Sequence, residues 1–180
     1  PRLVQILASG DLQNGGTTDD FDPVASIQVG IITSDMGIGG VDIAAGAEHT
    51  CSLRDGRVRC WGSNAFHQLG DPALANGRGV FRAERRVIEG LTRAVALGAG
   101  THHTCAIVDS GAALCWGHGG YGQLGDGGRE DRPVPVRVPL DAPVRSISGG
   151  DGHTCAALMG GAVYCWGRND HGQLGDGSFT

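Results

Sequence analysis

Short runs of alternating apolar and polar residues recur along this chain, and glycine-containing turns separate them. The last group of runs comprises Val144 to Ser148, His153 to Leu158 and Ala162 to Trp166. Each run has the length and the two-residue period of a β-strand, and the repeated unit lacks the 3.6-residue period of an amphipathic helix. The pattern therefore predicts an all-β fold made of many short antiparallel strands.

The chain repeats itself three times in the same order. In each copy a His-Thr-Cys element is followed by Cys-Trp-Gly and then by Gln-Leu-Gly-Asp, and the copies begin at His49, His103 and His153. The first cysteines of successive copies are 54 and then 50 residues apart, whereas the second cysteine precedes the glycine of Gln-Leu-Gly by 10 residues every time. The unit itself thus has a fixed length, and only the linkers vary.

A period of this size, with four strand-like runs per copy, is typical of a β-propeller blade. We expect a partial propeller over residues 41–180, with three blades of four antiparallel strands each, divided at about 41–92, 93–142 and 143–180. The fourth strand of a blade follows Gln-Leu-Gly, as in Pro133 to Val138, whose prolines place it at a sheet edge.

The two cysteines of each copy flank a hairpin turn. In the first copy Asp55-Gly56 favours a two-residue type I′ turn, and counting outward from it sets Cys51 opposite Cys60. That position is a non-hydrogen-bonded pair, where Cα atoms come close enough for a disulfide. The same count holds in the other copies and predicts the bridges Cys51–Cys60, Cys105–Cys115 and Cys155–Cys165. Disulfides indicate an oxidising compartment.

Two other roles for the cysteines stay open. His49 shares a strand face with Cys51, so each copy offers one imidazole and two thiols to a metal ion, although structural zinc sites use four ligands. Reduced cysteines buried in a core are the second alternative. Nucleophilic catalysis is disfavoured because the pattern occurs three times and active sites are few per protein. We expect no metal, no cofactor and no catalytic residue.

The other recurrent side chains are expected to serve packing. A histidine and a tryptophan return once per copy, which favours a structural role over catalysis or pH sensing. Each tryptophan follows the second cysteine, so it points to the opposite strand face, where it fills the gap between blades. These predicted packing residues are His49, Trp61, His103, Trp116, His153 and Trp166. The sequence identifies no ligand-binding residue.

Composition narrows the classes of function. Glycine makes up 33 of the 180 residues, well above the usual share, which fits many tight turns. The net charge of −5 argues against a nucleic-acid-binding surface. No apolar run is long enough to span a membrane. All 14 basic residues are arginine. The one charged cluster that does not recur from copy to copy, Arg82 to Arg86, is expected to be a solvated strand or a contact patch.

The repeat resembles that of the regulator of chromosome condensation family. The likeness is clearest from Gly149 to Gly177, where His-Thr, a glycine turn, Trp-Gly and Gly-Gln-Leu-Gly follow in order, and it extends over about 41–177. The resemblance implies a β-propeller, usually of seven blades. Its paired cysteines are similar to those of bacterial cell-surface proteins and lipoproteins. Founding members exchange guanine nucleotide and bind chromatin, but this chain matches no dedicated exchange element.

Residues 1–40 precede the repeats. They contain a possible helix end at Arg2 to Ser9 and a strand at Ser26 to Thr33, and they resemble part of a von Willebrand factor A-type domain. The metal-site motif of that domain is absent. An acidic loop, Asp11 to Asp22, is either a solvated loop or a calcium ligand set, although its spacing departs from the regular calcium loop. We expect this segment to be a remnant of a preceding α/β domain.

The function predicted from the sequence is a non-enzymatic scaffold that contacts another protein or a surface ligand. The expected location is extracellular, periplasmic or at the cell surface, with further blades or self-association completing the propeller. The alternatives are an accessory binding domain of a larger extracellular enzyme and, less favoured, a guanine-nucleotide exchange or chromatin-type regulator.

Overall fold

A computed structural model describes residues 42–74, 77 and 80–179. Within them the chain forms eleven antiparallel strands in three sheets, which confirms the predicted all-β class. The first sheet has the order β1-β2-β3-β4, and its strands are Asp42–Ala45, His49–Arg54, Arg57–Ser63 and Phe81–Val87. Consecutive strands are neighbours, as expected of a blade built from short connections.

The second and third sheets repeat this arrangement. The second has the order β5-β6-β7-β8, with strands Ala94–Ala99, His103–Val108, Ala113–Gly117 and Arg132–Arg137. The third has the order β9-β10-β11, with strands Val144–Gly149, His153–Leu158 and Val163–Gly167. The expected four strands are therefore present in the first two sheets, and the described residues supply three to the third.

The hairpins follow from local turn chemistry. Asp55 and Gly56 both have positive φ angles, 53° and 72°, as a type I′ turn requires. Glycine takes the left-handed position of the longer loops, with φ of 81° at Gly111 and 88° at Gly161. The registers pair the two cysteines of every copy with each other, so the predicted hairpin register is confirmed.

Two apolar cores lie between the sheets. The core between the first and second sheets contains Val58, Leu69 and Trp116, all buried. The core between the second and third contains Ile107, Leu124 and other aliphatic side chains. Leu69 and Leu124 are the leucines of Gln-Leu-Gly, so this repeated element closes each core from the loop side. Each sheet is thereby stabilised by burial against its neighbour.

The interpretation of residues 1–40, including the possible helix, the acidic loop and the resemblance to a von Willebrand factor A-type domain, lies outside the described residues. Among the residues that the structure describes, no helix has the length and apolar character needed to cross a bilayer.

Candidate interaction face and the seams beneath it

The boundary between adjacent sheets, here called a seam, is held by recurrent polar side chains. In the first seam His49 Nε2 lies 2.8 Å from Thr104 Oγ1 of the next sheet. The Thr104 hydroxyl donates in turn to the Gln68 carbonyl oxygen at 3.3 Å, and Trp116 Nε1 donates to the same oxygen at 3.0 Å. Since the threonine proton is used on Gln68, the His49 Nε2–H is the donor to Thr104.

The second seam repeats these bonds one blade further on. His103 Nε2 lies 2.8 Å from Thr154 Oγ1, and Thr154 Oγ1 donates to the Gln123 carbonyl at 2.8 Å. Trp166 Nε1 donates to that carbonyl at 2.8 Å. The residues common to all copies are thus joined across each seam, because a buried polar group needs a partner.

Burial keeps the seam imidazoles neutral. Desolvation, reinforced by neighbouring histidines, lowers the pKa of His49 to about 3 and that of His103 to about 4. With Nε2 protonated, the Nδ1 atom of each ring carries only a lone pair, and neither Nδ1 has a hydrogen-bond partner within the described residues. A second proton would be buried there without an acceptor, which explains the direction of both shifts.

The cysteine pairs lie in the hairpins that form the seams. The sulfur atoms of Cys51 and Cys60 are 2.08 Å apart, and the three pairs share a Cα–Cα distance of 4.1 Å. All three pairs, Cys51–Cys60, Cys105–Cys115 and Cys155–Cys165, are at disulfide-bonding distance. His49 Nε2 lies against Thr104, and the part of the chain described contains no group of three or more histidine, cysteine or acidic side chains arranged to hold a metal ion.

Among the predicted packing residues, the first tryptophan and the last histidine lie outside the two seams and have different surroundings. Trp61 is half-buried in the first sheet, and the Arg85 guanidinium carbon lies 5.7 Å from its ring centroid. His153 is half-buried in the third sheet, and its Nδ1 has no partner among the described residues. The charged cluster Arg82 to Arg86 forms most of β4, an exposed outer strand, where Arg82 pairs with Asp71 at 3.1 Å.

The connections that precede β2, β6 and β10, together with those that follow β3, β7 and β11, lie on one side of the three sheets. We call this side the loop face. The repeated glutamine holds its protruding tips, because Gln68 Oε1 accepts from the Phe66 amide at 2.7 Å and Gln123 Oε1 accepts from the Tyr121 amide at 2.9 Å. Gln173 holds His171 in the same way at 2.8 Å. A ring-bearing side chain is therefore displayed at the same place in each copy.

These rings form a continuous band across both seams. The Phe66 centroid lies 4.8 Å from the rings of His102 and His118, and His118 meets Tyr121 edge-on at 5.7 Å. The Arg168 guanidinium covers the Tyr121 ring at 5.4 Å. We call these five residues the aromatic band. Such rings supply large contact area with little loss of side-chain freedom.

Carboxylates flank the aromatic band. Arg168 donates to Asp151 at 2.7 Å and to Asp170 at 2.6 Å, and this bonding holds the pKa of Asp170 well below its usual range. Glu48 is exposed on the same face and forms no ion pair with a described residue. Burial and the neighbouring His118 lower the pKa of His102, although Glu48 and Asp151 act in the opposite direction. The lowered pKa favours the uncharged imidazole of His102.

The sequence did not single out the aromatic band. His102 and His118 are both half-buried because Phe66 of the preceding blade packs on them. A signal was present: the position two before the repeated glutamine carries Phe66, Tyr121 or His171, a ring each time. Its meaning depended on contacts between blades, which the repeat alone did not reveal.

Comparison with known families identifies the repeat. Two family models, both described as regulator of chromosome condensation (RCC1) repeat, match the chain, one at 110–157 and the other at 41–68, 94–123 and 144–173. The second therefore matches once per sheet, over the strands that carry the histidines and tryptophans.

Similar proteins were found among curated sequences. The chain is 35% identical to Ultraviolet-B receptor UVR8 of Arabidopsis thaliana, over 72% of this chain and 28% of the receptor. It is also 35% identical to Protein pim1 of Schizosaccharomyces pombe, over 53% of this chain and 20% of that protein. The chain thus spans less than a third of either relative.

Solved structures share the fold. Yeast RCC1 (Prp20), bound to Kap60, superposes with a TM-score of 0.68 at 23% identity, over 76% of this chain and 34% of that one. Human WBSCR16 gives a TM-score of 0.66 at 22% identity, over 77% and 36%. The three sheets correspond to part of a larger β-propeller, and with the threefold match of the repeat they show that the chain belongs to the regulator of chromosome condensation repeat family.

Proposed function

We propose that this chain is a non-enzymatic scaffold for contacts with other proteins and that partners bind its loop face. The observation that supports the proposal is that the recurrent and the variable positions of the repeat lie in different parts of the structure. The side chains that recur unchanged, such as His49 and Trp116, are used inside the seams. Side chains that differ between copies, such as Phe66 and Tyr121, stand on the loop face in equivalent positions.

This separation of recurrent and variable positions suits the recognition of a protein partner. The seams fix each blade against the next through buried hydrogen bonds and two apolar cores, so the loop face is presented by a rigid base. Because few side chains and loops have to be ordered when a partner binds to such a base, little conformational entropy is lost and affinity is favoured. Proteins with this fold have been studied with protein partners: yeast RCC1 was solved bound to Kap60, and binding of Prp20p to Gsp1p and histones has been described.

The compartment belongs to the proposal as well. Three cysteine pairs at bonding distance favour a secreted, periplasmic or cell-surface protein, since disulfides persist in oxidising surroundings. We assign one blade each to about 41–92, 93–142 and 143–180. Further blades, from the remainder of a longer protein or from association, would complete the ring.

Site-specific photo-crosslinking tests the interaction proposal. A photoreactive amino acid is placed at Tyr121, on the loop face, or at Met159, in the hairpin on the opposite side; their exposed fractions are 48% and 67%. In the native host, we expect defined protein adducts from position 121 and none from 159. Adducts of equal yield from both positions, or none from 121, would refute a loop-face scaffold.

Thiol trapping tests the compartment separately. Cells are lysed in a thiol-alkylating reagent, and the intact protein is weighed before and after reduction. We expect no alkylation before reduction and six alkylated cysteines after it. Six alkylated cysteines in the unreduced sample would place the protein in a reducing compartment.

A further inference from the structure

We propose that the partner segment bound by the loop face is basic, and that an arginine of that segment stacks on Phe66 while it pairs with Glu48. This inference rests on the proposed function and adds the chemical class of the partner. It is argued from a contact that the protein makes with one of its own arginines and from the groups that surround Phe66.

The second seam shows how this face holds a guanidinium. Arg168 covers the Tyr121 ring with 5.4 Å between the guanidinium carbon and the ring centroid. Its nitrogens donate at the same time to Asp151 and Asp170, at 2.7 and 2.6 Å. The aromatic ring attracts the guanidinium through a cation–π interaction, and the carboxylates accept hydrogen bonds from its N–H groups.

The first seam has the matching ring with a different neighbour. Phe66 occupies the position of Tyr121 in the repeat, two residues before the glutamine, and His118 occupies that of Arg168, directly after Trp-Gly. Phe66 packs on His118 as Tyr121 packs on Arg168. Here the side chain supplied by the next blade is an imidazole, and no described arginine lies over the Phe66 ring or pairs with Glu48.

Charge around Phe66 favours a cation. Glu48 and Asp151 both act electrostatically on His102, so two carboxylates lie within electrostatic range of the ring that Phe66 contacts. The lowered pKa of His102 favours its uncharged form, which does not oppose an incoming cation. Three carboxylates at the aromatic band, Glu48, Asp151 and Asp170, outnumber the one arginine that belongs to it, Arg168, so an acidic segment would be repelled.

Arginine is favoured over lysine by the geometry. A planar guanidinium stacks on a ring while its edge donates to a carboxylate, as Arg168 does, whereas an ammonium cannot present a flat face and a forked edge together. Weak binding of a short probe is expected, because the contact uses one ring and one exposed carboxylate.

Fluorescence anisotropy at neutral pH tests the inference with the whole chain. The probe is a labelled peptide of alternating glycine and arginine, compared with peptides in which lysine or glutamate replaces arginine. We expect saturable binding of the arginine peptide below about 1 mM, weaker binding of the lysine peptide and no binding of the glutamate peptide. No saturation by the arginine peptide, or equal affinity for the lysine peptide, would overturn the inference.

Matched variants locate the binding. Glu48→Gln removes the carboxylate and Phe66→Leu keeps an apolar side chain while removing the ring; each is expected to weaken binding about threefold to fivefold. The controls are Asp141→Asn, an exposed carboxylate on the opposite side, and Tyr164→Ala, whose 43% exposure is close to the 48% of Tyr121. Equal losses in the controls would mean general charge attraction and would contradict the proposed site.

The outcome separates this inference from the proposed function. Crosslinks from position 121 without binding of the arginine peptide would leave the scaffold intact and refute the basic partner. Binding at Glu48 and Phe66 without crosslinks in the host would support the chemistry and count against the scaffold role.

Discussion

His103 and Thr154 lie on different sheets and 51 residues apart, yet His103 Nε2 and Thr154 Oγ1 are 2.8 Å from each other in a buried seam. His49 and Thr104 make the same contact one blade earlier. The second copy of the repeat therefore gives a donor to the blade after it, through His103, and an acceptor to the blade before it, through Thr104. The recurrent histidine and threonine of the repeat join neighbouring blades at both seams.

Replacing Thr154 by valine is expected to destabilise the protein by about 1–3 kcal/mol. The change keeps the shape of the side chain but leaves the buried His103 Nε2–H without its acceptor. Urea denaturation gives the free energy of unfolding. Thr154→Ser is the matched control, because it keeps the hydroxyl and removes only a methyl group. A valine variant as stable as the serine variant would show that the bond contributes little.

Stability is expected to fall as the pH is lowered from about 6.5 to 4.5. The unfolded chain binds protons at His49 and His103 near the ordinary pKa of about 6.5, whereas the folded chain does so only near pKa values of about 3 and 4. Over this window unfolding takes up protons, so each histidine lowers the free energy of unfolding by about 1.4 kcal/mol per pH unit.

The pH slope of urea-unfolding free energies measures this effect. In His49→Gln the pH slope of the unfolding free energy should decrease by the contribution of one histidine. This decrease is expected whatever the variant does to stability at neutral pH. Val163→Ala, at an exposed position, is the control and should leave the slope unchanged, because it removes no titratable group. A slope that stays the same in His49→Gln would contradict the lowered pKa of that residue.

Gly98→Ala is expected to destabilise the second seam by about 1–3 kcal/mol. A Cβ at Gly98 would lie 2.7 Å from the Ile147 carbonyl oxygen of the neighbouring sheet, and a backbone atom cannot turn aside as a side chain does. Thermal unfolding of Gly98→Ala and Gly160→Ala provides the comparison, since no atom lies within 4 Å of a Cβ at Gly160. Equal melting temperatures would mean that the inner strands β5 and β9 separate easily.

The pair Cys105 and Cys115 is expected to contribute about 2–3 kcal/mol through the loop that it closes in the unfolded chain. The double variant Cys105→Ala/Cys115→Ala should lose that amount. A reductant should lower the stability of the wild-type protein more than that of a variant with all six cysteines replaced by alanine. If the reductant left the wild-type protein unchanged, the cysteines would not be bridged under the conditions used.

The hairpins were predictable because their geometry is local. Asp55 and Gly56 define the turn, and the pairing of Cys51 with Cys60 follows by counting along two strands that the turn joins. The outer position of β8 was also predictable from the sequence, because Pro133 and Pro135 lie in this strand and proline is tolerated at a sheet edge. Neither inference needs to know how one blade meets another.

The sequence by itself determined the strands, the hairpin register and the division of the repeat into fixed and variable positions, since turn residues and the two-residue period act over a few neighbours. Only the tertiary structure decided what those positions face. The angle and offset between sheets bring Thr104 to His49 and place His102 and His118 against Phe66. Those contacts arise from packing two sheets around a shared core, which joins residues that no local pattern relates.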